Sequence, residues 1–249
     1  RGMESSTFSS IVHNLVNQML LSIKADATAN AAIESLKRGE APVIALSNTM
    51  GSALDQFLET NPANIGDEID FRFSRAAERY LERSREIMLT DVSPSGDRTS
   101  RRVRLPDDVL GEDGVAAYNE ARMLIDEFAA DIPASPIDWI RYRIEEAGYS
   151  VREVTGRDMA IDYSEGKIRL SQRPRDEIGS AGKLATVKMY NSGKLDAMIL
   201  NLSGSTGLSA HASKLNPPAG QKRRHMIVAQ ADANIDTFMQ MLGRINRTG

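Results

Sequence analysis

Four residues near the end of the sequence have the types and spacing needed to bind phosphate. Gln240, Gly243, Arg244 and Arg247 occupy positions i, i+3, i+4 and i+7 of the pattern Q-x-x-G-R-x-x-R. On a helix these positions share one face. Arginine carries a charged planar fork that matches phosphate oxygens, and glycine lets a ligand approach the backbone closely. The same spacing also occurs on solvated helix surfaces, so the pattern needs support from the rest of the chain.

The composition limits the classes of protein to which the chain can belong. It has 249 residues, of which 41% are hydrophobic, and this allows a sizeable core. The net charge is −3, so any contact with nucleic acid must use a local basic surface. We find no signal peptide and no apolar run near the roughly 20 residues of a membrane span. The sequence therefore predicts a cytoplasmic protein that does not contact a membrane.

A metal centre is not expected. The chain has no cysteine and only three histidines, which are far apart in the sequence. Asp67 and Glu68 form an acidic pair, but no buried strand precedes them, so we expect both to face solvent.

The order of apolar segments predicts an α/β fold. Short apolar runs at 42–46, 197–202 and 226–229 are typical of strands that are buried on both faces. Helical patterns separate these runs, which indicates a mostly parallel sheet with helices on both faces. Helical patterns also fill residues 1–40, and residues 62–134 are predicted to form a mainly helical insertion.

Two polar loops follow predicted strands. Residues 47–52 come after the first strand and residues 203–211 after the run at 197–202. Ligands of parallel sheets bind at the carboxyl ends of the strands, and a loop of small residues can hold phosphate with its backbone N–H groups. An ordinary tight turn is the alternative for residues 203–207. Neither is a Walker A loop, since G-x-x-x-x-G-K-[ST] is absent from the chain.

A third polar segment is basic. It contains Arg98, Arg101, Arg102 and Arg104. These arginines would suit a nucleic-acid track. They would equally suit a solvated loop, since Asp97 and Asp107 are close in sequence. The sequence leaves both interpretations open.

These segments together resemble motifs IV, V and VI of the superfamily-two helicases, at residues 43–49, 203–211 and 240–247. More narrowly, the chain resembles the C-terminal RecA-like domain of the strawberry notch family. The resemblance covers most of residues 41–249 in the family's order. Its other stretches are Leu-Glu-Arg-Ser-Arg-Glu-Ile at 81–87, Ser-Pro-Ile-Asp at 135–138, Glu-Ala-Gly-Tyr at 146–149, Glu-Val-Thr-Gly-Arg at 153–157 and Gln-Lys-Arg-Arg-His at 221–225. One departure is Asn246, where many relatives have histidine.

The resemblance implies a nucleotide site that two domains share. ATP with Mg would lie between this RecA-like domain and an upstream RecA-like ATPase domain that carries Walker A and B. Arg247 would be the arginine finger on the γ-phosphate, with Arg244 as its partner. The other residues expected to contribute to the nucleotide site are Gln240, Gly243, Thr206 and Gly207.

The resemblance also implies contacts with nucleic acid. Phosphates of the tracked strand would be touched by Ser47, Asn48, Thr49 and Ser205. Arg98 and Arg101 are the candidates for an additional basic contact. Such contacts position a strand without reading its sequence. The expected ligand is DNA, with RNA as the alternative.

These implications predict the second motor domain of an ATP-dependent helicase or translocase. The opening Arg1-Gly2-Met3 and the stop after Gly249 suggest a piece of a larger protein, which would be inactive alone because Walker A and B are absent. One alternative is a RecA-like scaffold without motor activity, although a scaffold has no need of both Arg244 and Arg247. Another is part of a fused DNA methylase-type protein, although no glycine-rich loop follows the first strand.

Overall fold

The structure is a computed structural model that describes residues 17, 19–47, 49, 51–92, 98–128, 132–201, 210 and 213–230. Residues 1–16 and 18 of the N-terminal helical pattern lie outside the described residues, as do the segments 202–209 and 231–249. No helix in the described part of the chain combines the length and the apolar character required to cross a bilayer.

The described chain contains both helices and strands. The helices are α1 (Ala25–Lys37), α2 (Gly51–Thr60), α3 (Phe73–Ser84), α4 (Asp107–Phe128), α5 (Pro136–Glu146) and α6 (Gly179–Asn191). The strands are β1 (Ala41–Leu46), β2 (Glu86–Val92), β3 (Arg98–Arg104), β4 (Val151–Val154), β5 (Met159–Asp162), β6 (Arg169–Gln172), β7 (Ala197–Asn201) and β8 (Arg224–Val228). Short 3₁₀ helices cover Arg175–Glu177 and Pro218–Gln221.

Four strands form one sheet, in the order β4-β7-β1-β8. Every neighbouring pair in this sheet is parallel. All six residues of β1 are buried, as expected for a central strand that is covered on both faces.

Two apolar clusters lie on opposite faces of this sheet, because successive side chains of a strand point in opposite directions. On one face, Ile44 and Ile199 pack with α1 and α5. The α5 residues in this cluster are Ile137, Ile140 and Ile144, each fully buried and each stabilising the fold by about 1.5–3 kcal/mol. On the other face, Val43 and Met198 pack with Val187 and Tyr190 of α6.

The predicted fold class is confirmed. A parallel sheet with helices on both faces fits the RecA-like α/β arrangement. The apolar runs predicted as strands form β1, β7 and β8. The strands β5 and β6 form an antiparallel pair on either side of Ser164–Gly166, and Asp67 and Glu68 are exposed as expected.

The chain separates into two compact units. One contains the described residues of Arg72–Ala134, and the other those of Leu20–Phe71 and Ser135–Gly249, including the parallel sheet. The first unit contains α3, α4 and the antiparallel pair β2–β3. The basic segment around residue 100 is therefore a strand of a hairpin, not the solvated loop that we considered. The domain boundary predicted at residue 40 stays a prediction.

The start of α5 differs from that of a helix with a serine cap. Ser135 and Pro136 begin the helix, but the Ser135 hydroxyl accepts no hydrogen bond from a backbone N–H of the first turn. The hydroxyl instead donates to Asp138 Oδ2 at 2.6 Å. Asp138 belongs to a buried group of charges and takes up the hydroxyl that a cap would need.

Candidate functional site

The carboxyl ends of three strands meet at one edge of the sheet. The last residue of β1, Leu46, pairs with Asn201, the last residue of β7. Ala45 pairs with Val228, the last residue of β8. The backbone N–H of Ala229 also donates to Ala45 O at 2.9 Å, which holds the continuation of β8 against β1. Ligands of parallel α/β folds bind at an edge of this kind.

Two predicted nucleic-acid contacts lie directly after β1. Ser47 and Thr49 are both half-buried. Thr49 Oγ1 lies 3.4 Å from the N–H of Gly51, from which it accepts a hydrogen bond at the start of α2. Asn48, between them, lies outside the described residues. The hydroxyls of Ser47 and Thr49 are neutral groups able to contact phosphate oxygens at this edge.

Gly51 fixes how α2 begins. A Cβ at this position would lie 3.3 Å from Arg157 Cβ and 3.4 Å from Thr49 Oγ1. The first of these distances is tighter than ordinary van der Waals contact, so a glycine allows the start of α2 to lie against the segment that follows β4. Thr49 and the buried Arg157 therefore both lie close to Gly51.

One further residue predicted to contact nucleic acid, Ser205, and all the residues predicted for the nucleotide site lie outside the described part of the chain. They are Ser205, Thr206, Gly207, Gln240, Gly243, Arg244 and Arg247. The chain leaves the described sheet toward the first three after Asn201, at the carboxyl end of β7. Their roles stay predictions.

Arg98 and Arg101 lie on β3 in the other unit, and both are exposed. Arg98 pairs with Val92 and Arg101 with Leu89 across the hairpin. Because neighbouring side chains of a strand alternate between its faces, Arg98 and Arg101 lie on opposite faces of the hairpin. The structure therefore does not bring these two arginines together.

The most highly charged interior region surrounds Arg157. Its guanidinium donates to Asp138 Oδ2 from Nη1 at 2.6 Å and to Glu153 Oε1 from Nε at 2.9 Å. Asp138 Oδ2 also accepts the N–H of Ile161 at 2.9 Å. All three charged side chains are at most 5% exposed. These contacts join α5 to β4, to the loop after β4, and to β5.

A second buried arginine extends the charged group. Arg173 Nε lies 2.6 Å from Glu153 Oε1, and Arg173 Nη1 donates to the carbonyl oxygen of Arg157 at 2.6 Å. Its Nη2 donates to Glu153 O, a carbonyl of the strand β4, at 2.9 Å. Arg141 then holds Glu177 by a two-point contact, with Nη1 2.9 Å from Oε2 and Nη2 3.0 Å from Oε1. Asp138, Glu153 and Glu177 thus balance Arg141, Arg157 and Arg173, and we call these six residues the ion cluster.

The buried charges at the centre of the ion cluster stabilise one another in their ionised forms. Burial alone would lower the pKa of Arg157, but the charges of Asp138 and Glu153 and the hydrogen bonds to them raise it above its ordinary value. Burial would raise the pKa of Glu153, but Arg157 and Arg173 lower it below 4.5. Both residues are therefore held in their charged forms. A group of this kind stabilises structure and has no free acid or base for catalysis.

Sequence reasoning did not assign a role to this cluster. Its members include Asp138 of the stretch 135–138, and Glu153 and Arg157 of the stretch 153–157, which were noted only for their resemblance to a family. The available signal was Glu153 within the otherwise apolar end of a short strand. A buried carboxylate needs a charged partner, but the sequence does not say which arginine supplies it.

The stretch at 221–225 has a structural arginine as well. The guanidinium of Arg224 lies 4.2 Å from the ring centroid of Tyr190, and its Nη2 donates to Gly220 O at 3.0 Å. Arg223, its neighbour, has a side chain that is 84% exposed. Arg223 is therefore exposed, whereas Arg224 is half-buried against Tyr190.

The α/β class is the most specific assignment that the fold supports. No protein-family model, curated protein or solved structure matches the chain. The resemblance to strawberry notch helicases stays a prediction that rests on the motifs given above.

Proposed function

We propose that the chain is the second motor domain of an ATP-dependent helicase or translocase that acts on DNA. The observation that supports this proposal is the meeting of three strand ends at one edge of the parallel sheet, where Leu46 pairs with Asn201 and Ala45 with Val228. The loop 47–52 and the segment 203–211 follow two of these strands in sequence, and the arginine motif follows the third. This is the edge at which α/β folds bind nucleotides and other ligands.

The nucleotide would be shared with an upstream RecA-like ATPase domain. ATP with Mg supplies the phosphoryl group that is transferred to water. Arg247 would stabilise the negative charge that develops on the γ-phosphate, and Arg244 would hold the neighbouring phosphate oxygens. Gln240 and Gly243 would orient the two arginines, and the small residues Thr206 and Gly207 would link the nucleotide to the nucleic acid.

The nucleic acid would be held mainly by neutral groups at the same edge. Ser47 and Thr49 follow β1 directly and have hydroxyls able to donate to phosphate, and Asn48 and Ser205 would add to them. Neutral donors bind every phosphate of the strand with similar, low affinity. The strand can therefore move along the domain from one phosphate to the next. The ion cluster would keep this loop in place, because Gly51 packs directly on Arg157.

The ATPase activity of the 249-residue chain tests whether the nucleotide site is shared between this chain and an upstream domain. Because the chain has no Walker A motif, we expect neither tight ATP binding nor hydrolysis when the chain is purified alone. Joined to a RecA-like domain with Walker A and B, it should hydrolyse ATP, and DNA should stimulate the rate. Hydrolysis by the chain alone that persists through further purification steps would contradict the proposal. An absence of any stimulation in the joined protein would favour the scaffold alternative.

A further inference from the structure

The hairpin β2–β3 carries an exposed strand that is unusually basic. Four of the seven residues of β3 are arginine, and every residue of this strand except the half-buried Val103 is exposed. The antiparallel pairing runs from Glu86 opposite Arg104 to Val92 opposite Arg98. Side chains of β3 therefore alternate between two faces over the full length of the hairpin.

The pairing register determines which face of the hairpin each arginine of β3 occupies. Arg98, Ser100, Arg102 and Arg104 share one face, and Arg101 lies on the other. The sequence alone could not separate Arg101 from Arg102. On the shared face, Arg98 and Arg102 are about 13 Å apart along the strand, with the Ser100 hydroxyl between them. Ser100 Oγ lies 3.0 Å from Thr90 Oγ1 on the neighbouring strand, so this face combines guanidinium groups with hydroxyls.

The arginines of this region also differ in their partners. Arg104 is paired with Glu82, with Nη2 at 3.2 Å from Oε2. The side chains of Arg98 and Arg102 have no ion-pair or hydrogen-bond partner among the residues that the structure describes. Two positive charges are thus left for a ligand at defined positions.

The base of the hairpin is fixed in place. Arg85 precedes β2, is 6% exposed, and donates from Nη2 to Leu105 O, directly after β3, at 3.0 Å. Its guanidinium also contacts Asp107 and lies 4.7 Å from the ring centroid of Tyr118. The contacts of Arg85 therefore fix the end of the hairpin at which β2 begins and β3 ends. A hairpin fixed in this way loses less conformational entropy on binding a ligand than a free hairpin would.

We propose that the face of the β2–β3 hairpin with Arg98, Ser100 and Arg102 binds the phosphate backbone of a nucleic acid. Arginines interleaved with hydroxyls are the side chains that contact phosphate oxygens. Because the net charge of the chain is −3, attraction of a polyanion has to come from a local basic surface, and β3 is such a surface. The choice of nucleic acid as the polyanion rests on the proposed function, and the face-specific contact rests on the register of β3 alone.

Binding of a fluorescent single-stranded oligodeoxynucleotide to the 249-residue chain, without ATP, tests this proposal. Affinity is measured by anisotropy over a series of salt concentrations. Arg98→Gln with Arg102→Gln should weaken binding at least tenfold at low salt. The slope of log K against log salt should become shallower by about 1.4, because each lost phosphate contact accounts for about 0.7 in a single strand.

Two comparison variants make the test specific. Arg101→Gln, at the next residue on the opposite face, should change the slope by less than Arg102→Gln. Arg122→Gln removes the same charge from an exposed position on α4 and should leave the slope unchanged. Replacing Arg98 and Arg102 by lysine should preserve most of the slope, which a purely structural role would not predict.

Three results would overturn the proposal. One is an unchanged slope in the Arg98→Gln and Arg102→Gln double variant. Another is an equal effect of Arg101→Gln and Arg102→Gln. The third is binding of polyglutamate as tight as that of the oligonucleotide and equally sensitive to the double variant, which would indicate an acidic protein partner. Because no ATP is present, a failure of the motor proposal would leave this result unaffected.

Discussion

Arg157 and Asp138 form a two-point ion pair in the protein interior, in which Nη1 of the guanidinium donates to Oδ2 at 2.6 Å and Nη2 donates to Oδ1. The two side chains are 5% and 3% exposed. Since Gly51 packs on Arg157, the pair also supports the loop after β1. It therefore connects the stability of the unit to the position of Ser47 and Thr49.

Asp138→Asn should destabilise the protein by about 3–5 kcal/mol, because removing one partner leaves a buried charge without full compensation. The free energy of unfolding, measured by urea denaturation, gives this value. Glu145→Gln is the control. Glu145 has a side chain 48% exposed and pairs with Arg141 at 3.0 Å, so its loss should cost less than about 1 kcal/mol. Equal midpoints for both variants would show that the ion cluster contributes little.

Stability should depend on the charge of Glu153. Although burial raises the pKa of this carboxyl, Arg157 and Arg173 lower it below its ordinary value of 4.5. A carboxyl whose pKa is lower in the folded state stabilises the fold above its unfolded pKa. This contribution is lost as the pH falls through the folded pKa. Glu153→Gln should therefore be less stable at neutral pH and lose stability less steeply below about pH 4.5. The unfolding free energy of both proteins across this range provides the test, and parallel curves would contradict it.

Gly220→Ala should destabilise the turn before β8. A Cβ at this position would lie 1.8 Å from the carbonyl oxygen of Asn191, so the backbone must shift, and with it the Gly220 carbonyl that binds Arg224. The expected loss is about 1–3 kcal/mol in a thermal or chemical denaturation experiment. Gly156→Ala is a matched control, since nothing lies within 4 Å of a Cβ there. Retention of full stability by Gly220→Ala would show that the turn relaxes without cost.

Three strands of the sheet, β1, β7 and β8, could be predicted from the sequence because each contains a short apolar run. The apolar run at 42–46 has no polar residue to place on a solvated face, and β1 is buried throughout. The strand β3 could not be predicted in this way. Its only apolar residue is Val103. This segment forms a strand because it pairs with β2, and the residue pattern of β3 by itself does not reveal that pairing.

The ion cluster was hidden for a similar reason. Asp138 and Arg157 are 19 residues apart, and spacing within one helix or strand gives no information about such a pair. The Ser135 hydroxyl illustrates the consequence, because local rules predict a helix cap whereas the hydroxyl binds Asp138. The position of the candidate site could be predicted, because the loops that follow neighbouring parallel strands lie at the same edge of the sheet. The roles of the residues at this edge stay predictions.

We propose that Arg247 acts as an arginine finger. This role is tested by the DNA-stimulated ATPase rate of the chain joined to a RecA-like domain that carries Walker A and B. Arg247→Ala should reduce this rate by about 10³–10⁵-fold, with little change in DNA affinity or in the free energy of unfolding. Arg247→Lys should fail as well, because an ammonium group lacks the planar fork. Arg244→Ala should also be damaging, in part through weaker nucleotide binding.

Arg223→Ala is the matched control for this measurement, because it removes the same charge from a side chain that is 84% exposed. Its ATPase rate should remain near that of the unmodified protein. At saturating DNA and ATP, the ATPase rate of Arg247→Ala should be far below that of Arg223→Ala. A near-normal rate for Arg247→Ala would contradict the arginine-finger assignment and favour a RecA-like scaffold without motor activity.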